Sequence, residues 1–444
     1  MKIAIIGSGI SGMTAAHTLA PAHDITLFEA GKSLGGHTAT VDVEHRGRQY
    51  AIDTGFIVFN DWTYPEFIKL MDKLGVQSQP TQMSFSVSDR RGGTEYAGSS
   101  LNTLFAQRRN LVSPRFLIMT KDILRFNSQA EKHLLENPLC AAMSLGEYLD
   151  HYRYSSVFRE LYLLPMGAAI WSSNTDMMLQ FPLQFFVRFF RNHGLLNIKN
   201  RPQWRVIKGG SRAYIGPLTE NFKNNIELDN PVRRVSRLTS NNGSGLVRIE
   251  SARFTEDYDQ VIFACHSDQA LAMLAQPSAK EKAFLGSIPY TKNDVVLHTD
   301  ERLLPRNRRC WSSWNVSLNS QTNTNRNSKQ TEPPTLTYDM NILQGIDSED
   351  TFCVTLNQTQ DIDESLILGQ YQYDHPVFTE EGMKAQQRWH EINGINNTWF
   401  CGAYWRNGFH EDGVWSALRV TREIEKQGSN KNGKAQIDLL AEAG

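Results

Sequence analysis

Strong charge of either sign is missing from this sequence. Among 444 residues, Lys and Arg total 46 and Asp and Glu total 47, leaving a formal charge of −1. A protein that tracks a phosphate backbone needs a basic excess on one face, so a nucleic-acid partner is not expected. An acidic disordered chain is excluded too, because 40% of the residues are apolar and can build a core. Cysteine is scarce. Cys140, Cys265, Cys310, Cys353 and Cys401 are odd in number, have no CxxC spacing and sit in no ligand cluster. Neither a disulfide framework nor a metal site is expected, and small buried thiols in a reducing compartment are. Long apolar runs are absent as well. Leu161–Trp171 is uncharged and mostly apolar, but it falls short of the roughly 20 residues that span a bilayer. Met1-Lys2 leads directly into Ile3–Ile6, which is too short for the apolar core of a signal peptide. No repeat of 20–50 residues is evident. What is left is a globular chain of two or three domains at about 150 residues each. It is expected in the cytoplasm, with at most peripheral contact at the inner membrane face.

What is present starts with aromatics: 22 Phe, 14 Tyr and 9 Trp, enough to line an apolar pocket as well as a core. The first forty residues carry chemistry. Lys2–Ile6 reads as a buried parallel strand, Gly7-Ser8-Gly9-Ile10-Ser11-Gly12 is a GxGxxG, Met13–Leu19 has helical character, and Asp24–Phe28 is a second strand ending at Glu29. Gly7 makes the tight turn, Gly9 admits a pyrophosphate against bare backbone, and Gly12 lets helix and strand pack closely. The helix N-terminus offers free N–H groups and partial positive charge to the phosphates. Glu29 follows Gly7 by 22 residues, the offset expected for a carboxylate on a ribose hydroxyl. An acidic residue without a basic neighbour disfavours NADP, so NAD and FAD remain.

Downstream segments separate these. Glu29-Ala30 is followed by Gly35-Gly36-His37 and then by Asp53-Thr54-Gly55-Phe56. Near the other end stand Trp399-Phe400-Cys401-Gly402-Ala403-Tyr404 and His410-Glu411-Asp412-Gly413-Val414, with a helical pattern to about Lys426. Asn230-Pro231-Val232 follows the strand-like Asn225–Leu228, and Asp259–Cys265 reads as a further buried strand. In this order the segments resemble the amine-oxidase and phytoene-desaturase superfamily of FAD enzymes. The resemblance implies FAD, held by Gly7, Gly9, Ile10, Ser11 and Gly12 at the pyrophosphate and by Glu29 and Ala30 at the ribose. It implies further contacts from Gly35, Gly36, His37, Thr54, Gly55 and Phe56, from Val232 at the adenine, and from Gly402, Asp412, Gly413 and Val414 at the flavin. The chain departs from the family at two places. His37 stands where Arg is usual, and Ala403 and Tyr404 stand where an acidic residue is usual. Asp412 also fits the alternative role of a helix N-cap.

The fold class implied is α/β, a discontinuous Rossmann-like FAD-binding domain interleaved with an α+β substrate domain. The expected FAD-binding parts are residues 1–78, 205–275 and 395–427. The substrate parts are 79–204, a hairpin and then helices, and 276–394. Residues 428–444 form a polar, frayed tail. In the substrate parts, Met83, Phe85 and Val87 alternate with serines before a turn into Thr94–Gly98. Leu336, Tyr338 and Met340 alternate likewise, as do Phe352, Val354 and Leu356, and Asp294–His298 reads as a strand. Residues 113–192 read mainly helical, and Ser317–Thr331 reads as an exposed loop. Phe181, Phe185 and Phe189 share one helical face, widened by Phe186 and Phe190. That face is a core-facing stripe, a wall for a long apolar substrate, or a membrane-dipping helix anchored by Arg188 and Arg191. Trp171, Trp311, Trp314 and Tyr338 are candidates for the same pocket.

No catalytic side chain is assigned, because the flavin itself accepts the hydride and the protein orients the C–H bond and excludes water. Lys292 is offset from the lysine that some amine oxidases place beside the flavin, and its role is not carried over. Cys401 precedes the glycine loop inside a strand and is no covalent flavin anchor. His298 and His410 are the histidines of interest. Tyr290–Asp300, with Pro305, Trp311 and Trp314, resembles a bacterial branch of the superfamily associated with cyclopropane-fatty-acid synthase-type enzymes. That resemblance implies unsaturated or methylated fatty-acyl chains of phospholipids as substrates and a methyltransferase of that type as partner. The leading expectation is an FAD-dependent oxidoreductase that dehydrogenates a hydrophobic substrate by hydride transfer to flavin N5. The alternatives are a flavin amine oxidase, a redox-neutral FAD-dependent double-bond isomerase, and a non-catalytic flavoprotein that binds a lipid or partner.

Overall fold

Apolar runs too short to make helices and too continuous to have a wet face are driven into the middle of a parallel sheet. Ile3, Ala4 and Ile5 are fully buried, as are Val261, Ile262 and Phe263, and the two runs pair in parallel with Ile3 opposite Gln260 and Ile6 opposite Phe263. The computed structural model describes residues 1–89, 92–171, 175–238, 245–318 and 335–441, with side chains to residue 427. The five-stranded sheet runs Ile226–Glu227, Asp24–Phe28, Lys2–Ile6, Gln260–Phe263, Thr398–Phe400, every neighbour parallel. Distant segments of the chain thus share one layer. The helix Ile10–Leu19 covers one face, and the helix His410–Ala441 packs beside it. This last helix continues well beyond the end read from the sequence near Lys426, since Lys, Ala, Gln and Leu in residues 431–441 are good helix formers. An antiparallel meander, Val232–Leu238, Leu246–Ser251 and Thr255–Tyr258, stands between the strands at 226 and 260.

A second, seven-stranded sheet is ordered Ile367–Pro376, Tyr290–His298, Cys353–Leu356, Thr335–Asp339, Trp314–Leu318, Phe85–Asp89, Thr94–Ala97. All its pairs are antiparallel except Trp314–Leu318 with Phe85–Asp89. The expected hairpin forms, with Asp89 opposite Thr94. Met340 leaves the alternation because Asp339 caps a short helix, accepting from Ile342 N at 3.1 Å. Of the stretch Ser317–Thr331, Ser317 ends a strand with Leu318, and residues 319–331 lie outside the described residues. Helices dominate 114–192, beginning with Pro114–Glu136 and ending with Leu183–Asn192.

The phenylalanine stripe lies in the core. Phe181, Phe185, Phe186, Phe189 and Phe190 are all buried, packed around Trp171. A helix with that face inside cannot present it to a membrane, so the membrane-dipping alternative for these residues fails. Among the described residues, no helix is long and apolar enough to cross a membrane.

Candidate cofactor and active site

The site begins where the parallel strands end. Gly7 leaves the first strand with φ +105°, and a Cβ there would meet Ala264 O at 2.9 Å. A Cβ on Gly12 would collide with Gly7 O at 1.8 Å, so bare backbone lets helix and turn touch. Gly9 differs: a Cβ there would meet nothing within 4 Å, and its φ of −63° suits any residue. Its bareness therefore serves open space in front of the loop. Gly9 also caps the helix Ile10–Leu19 without a side-chain oxygen, which leaves the first-turn amides facing that space. The paired glycines lie against the loop. Gly35 bridges Gly9, Gly35 N donates to Ser8 O at 3.2 Å, and Gly36 approaches Gly9 Cα within Cβ reach. Next in line, Phe56 N donates to His37 O at 2.7 Å and Thr54 N to Ala39 O at 2.9 Å. Asp53, fully buried, accepts from Ser211 N, Ser211 Oγ and Thr40 Oγ1, and burial lifts its carboxyl to about 6 against those bonds.

Glu29 ends the second strand beside the loop. Its carboxylate accepts from Ser8 N at 3.0 Å, Ser8 Oγ at 2.5 Å and Gly31 N at 2.7 Å. The segment leading to Val232 is tied to the same corner, with Asn230 N donating to Glu29 O at 3.0 Å and Asp229 N to Gly31 O at 2.9 Å. Ala30 is exposed there, next to Glu29. From the far end, Gly402 N donates to Ser416 Oγ at 3.1 Å. A Cβ on Gly413 would lie 2.7 Å from Ile10 Cγ2 and 2.9 Å from Ser11 Oγ, so two helix N-termini meet at this point. Val414 is fully buried behind them. The Asp412 carboxylate takes the helix-entry role that was its alternative. Its Oδ2 accepts from Phe409 N at 3.0 Å and Asn407 N at 3.2 Å, closing the entry of its own helix as an N3 side chain reaching back. Neighbouring Glu411 accepts from Glu66 N and Phe67 N and so caps the helix Pro65–Lys73; burial lifts it to about 7. Both acids border a cavity of about 420 Å³ with Trp62, Arg191 and Arg406.

A cluster of rings, largely missed from sequence, gathers around His37. His37 lies 5.4 Å from Tyr373, 5.6 Å from His375 and 5.9 Å from His266, and His266 stacks on Tyr290 at 4.4 Å. Tyr373 OH and Thr54 Oγ1 are 2.9 Å apart. Asn293 Nδ2 lies 3.1 Å from His375 Nδ1. His410 stacks on Phe56 at 3.6 Å and bonds Thr38 Oγ1 and Tyr214 OH. Burial pushes His37 down to about 3, reinforced by His375 and His266, and pushes His375 to about 4. His266 is lowered and His410 falls well below its ordinary value, again by burial. All four imidazoles are therefore neutral near pH 7. In the chain alone His37 thus carries no charge where arginine would always carry one. The signals for these residues were faint: Tyr371, Tyr373 and His375 alternate with Gln370, Gln372 and Asp374, and His266 follows directly on a parallel strand's C-terminal end.

The seven-stranded sheet has two unlike faces. Registers place Phe85, Trp314, Tyr338, Val354 and Leu297 in one row, with Asn293 and Tyr373 on the same face nearer His37. Trp314 and Tyr338 meet edge to face at 5.3 Å. The opposite face carries Ser86, Asn315, Thr337, Thr355 and His298, all buried and hydrogen-bonded: Ser86 Oγ to Asn315 Oδ1 at 2.8 Å, Thr337 Oγ1 with Thr355 Oγ1 at 2.8 Å, and Thr355 Oγ1 with His298 Nε2 at 2.7 Å. His298 is thus a member of a buried ladder, remote in role from His410. Of the four pocket candidates only Trp314 and Tyr338 are adjacent. Trp171 belongs to the helical core, and Trp311 Nε1 donates to Pro305 O. Lys292 is exposed on its strand. The five thiols are free, and among the described residues no group of ligands could hold a metal.

The residues present fit a dinucleotide. Open space lies before Gly9, and two helix N-termini converge beside it. The family model for flavin-containing amine oxidoreductases matches residues 10–340. Solved structures align over nearly the whole chain. Cyclohexylamine oxidase from Brevibacterium oxydans IH-35A does so at 14% identity and TM-score 0.64, covering 96% of this chain and 99% of that one. Wild-type putrescine oxidase bound to putrescine gives 13% identity and 0.65, with the same coverage. A CLA-producing fatty acid isomerase from P. acnes gives 15% identity and 0.64, covering 95% of this chain and 98% of that one. These likenesses concern the fold. No curated protein matches the chain by sequence.

Proposed function

Because the chain belongs to the flavin-containing amine oxidoreductase family and is an FAD-dependent oxidoreductase, we propose that it dehydrogenates a hydrophobic substrate, with an unsaturated or methylated fatty-acyl chain of a phospholipid as first candidate. The observation that supports this reading is the sheet face on which Trp314, Tyr338, Tyr371 and Tyr373 stay half-buried between the buried Leu336 and Leu356, and which ends beside His37 and Thr54. Such a surface gains by covering an acyl chain and offers water little to bind.

FAD, when bound, supplies a ring that accepts a hydride. Gly7, Gly9 and Gly12, with the amides of Ile10 and Ser11, would hold its pyrophosphate, and Gly35 and Gly36 would back that loop. Glu29 would accept from the ribose hydroxyls by exchanging its Ser8 bonds, with Ala30 and Val232 alongside. The amides of Gly413 and Val414, at a helix N-terminus, would face the ring's electron-rich edge, with Thr54, Gly55, Phe56 and Gly402 around it. His37, whose charge is not fixed as arginine's is, would offer one ring N–H to the cofactor.

The test is anaerobic mixing of the holoenzyme with phospholipids and, separately, with amines, following loss of the flavin's visible absorption. Bleaching by lipids with a product lighter by two hydrogens supports the reading. Bleaching by amines alone replaces it with amine oxidation, and a lipid product of unchanged mass replaces it with isomerisation.

A further inference from the structure

Large apolar side chains left in water concentrate in one place. Of the fourteen such residues among the described ones, eight fall between Leu101 and Leu139, so the exposure belongs to a local surface. It is centred on the helix Pro114–Glu136 and the 3-10 turn Arg108–Val112 just before it. At about 100° per residue, Leu117, Lys121, Leu124, Ser128 and Leu135 fall close to one line along the helix. Phe116, Met119, Phe126 and Ala130 occupy the opposite side and are buried. The inner face thus has its partner, and among the described residues the outer one has none. Val112 is 80% exposed, Leu111 and Leu124 are 50% exposed, and Ile118 is 48% exposed.

From Arg108 to Ala130 the exposed charge on this surface has one sign; the acids of the helix's last turns, half-buried Glu131 and exposed Glu136, pair with Arg191 and Lys132. Arg108, Arg109, Arg115 and Lys121 are exposed. Arg108 and Arg109 donate to backbone carbonyls, and among the described residues none of the four meets a carboxylate. From residue 99 to 130 the sole acid is Asp122, buried under Ser155 and Arg125. A protein partner or a second copy would have to bring an acidic, apolar patch of matching shape. A bilayer containing anionic phospholipid supplies negative headgroups above hydrocarbon in that very layering, and exposed leucines ringed by cations suit it.

We propose that the outer face of the helix Pro114–Glu136, with the Arg108–Val112 turn, docks the protein on anionic phospholipid membranes. Leu111, Val112, Leu117 and Leu124 enter the acyl boundary, and Arg108, Arg109, Arg115 and Lys121 lie among the headgroups. Contact of this kind lies on the bilayer and spans nothing, in keeping with the lack of a spanning helix among the described residues. It does not depend on what the enzyme oxidises.

Co-sedimentation of the holoenzyme with vesicles of phosphatidylcholine containing about a third phosphatidylglycerol tests this, against pure phosphatidylcholine and across salt concentration. Two double variants accompany the wild type, Val112→Ser with Leu117→Ser and Arg115→Gln with Lys121→Gln. All four side chains are exposed, so flavin content and melting temperature should stay those of the wild type. The expected result is salt-sensitive binding to the anionic vesicles, weakened about tenfold or more by either variant. Wild-type protein that stays in the supernatant at low salt overturns the proposal, as does binding that neither variant changes. A lipid-free dimer that Val112→Ser with Leu117→Ser dissociates would assign the face to a second copy and overturn it as well.

Discussion

The proposed nucleotide end and the proposed substrate end of the site are built from different material. Around Gly9 the working atoms are backbone: amides of two helix starts, a turn in which a Cβ on Gly7 or Gly12 would strike its neighbour, and a paired-glycine turn laid against the loop. Around Tyr373 and His375 the working atoms are side chains, delivered by strands more than 200 residues from the first helix and meeting only through register. Backbone chemistry tolerates one residue type and so leaves a motif. Side-chain chemistry accepts several types and leaves little more than a period of two.

The largest expected effect separates the two ends outright. Gly9→Val places a side chain in open space, so the apoprotein should fold and melt as the wild type does while FAD is lost on purification; full flavin occupancy in the variant would refute the cradle. Glu411→Gln probes the nucleotide end through protons. Glu411 holds its proton to about 7 in the fold and to its ordinary 4.5 when unfolded. Its contribution is therefore complete below about pH 4.5 and is lost as pH rises through 7. Denaturation at pH 5 and pH 8 should show the wild type losing about 3 kcal/mol relative to the Gln variant over that interval. Glu29→Ala should cost FAD binding about 1.5–3 kcal/mol, read by equilibrium titration of the apoprotein. At the substrate sheet, Thr355→Val leaves His298 Nε2 without its partner. Stability should fall by about 1–2 kcal/mol with flavin content unchanged. A variant that also lost FAD would break the separation of the two ends.

The glycine loop, the strands at Lys2–Ile6, Asp24–Phe28 and Gln260–Phe263, and Gly413 could be read in advance because burial and close approach restrict their residue types. Trp314 and Tyr338 could be named but not paired, since pairing is a property of register across the sheet. His266 and His375 carry no motif, and Tyr290 could be named but not placed against His266, because their neighbours in space are remote in sequence. Asp412 shows the opposite hazard. Its carboxylate accepts from two amides at its own helix entry, a role the motif alone does not distinguish from a cofactor contact. The phenylalanine helix was ambiguous for a physical reason, because an amphipathic stripe states that it must be covered and does not state by what.

The meeting of Gly413 with Ile10 and Ser11 has a consequence for biosynthesis. The parallel sheet receives its edge strand only at Thr398–Phe400, and the second helix start only at His410. On the ribosome, a chain shorter than this can hold the glycine loop but not the opposite wall. Contacts this distant in sequence close slowly. With FAD held as proposed between them, flavin loading waits until after most of translation, and a yellow protein is one whose two distant segments have already found each other.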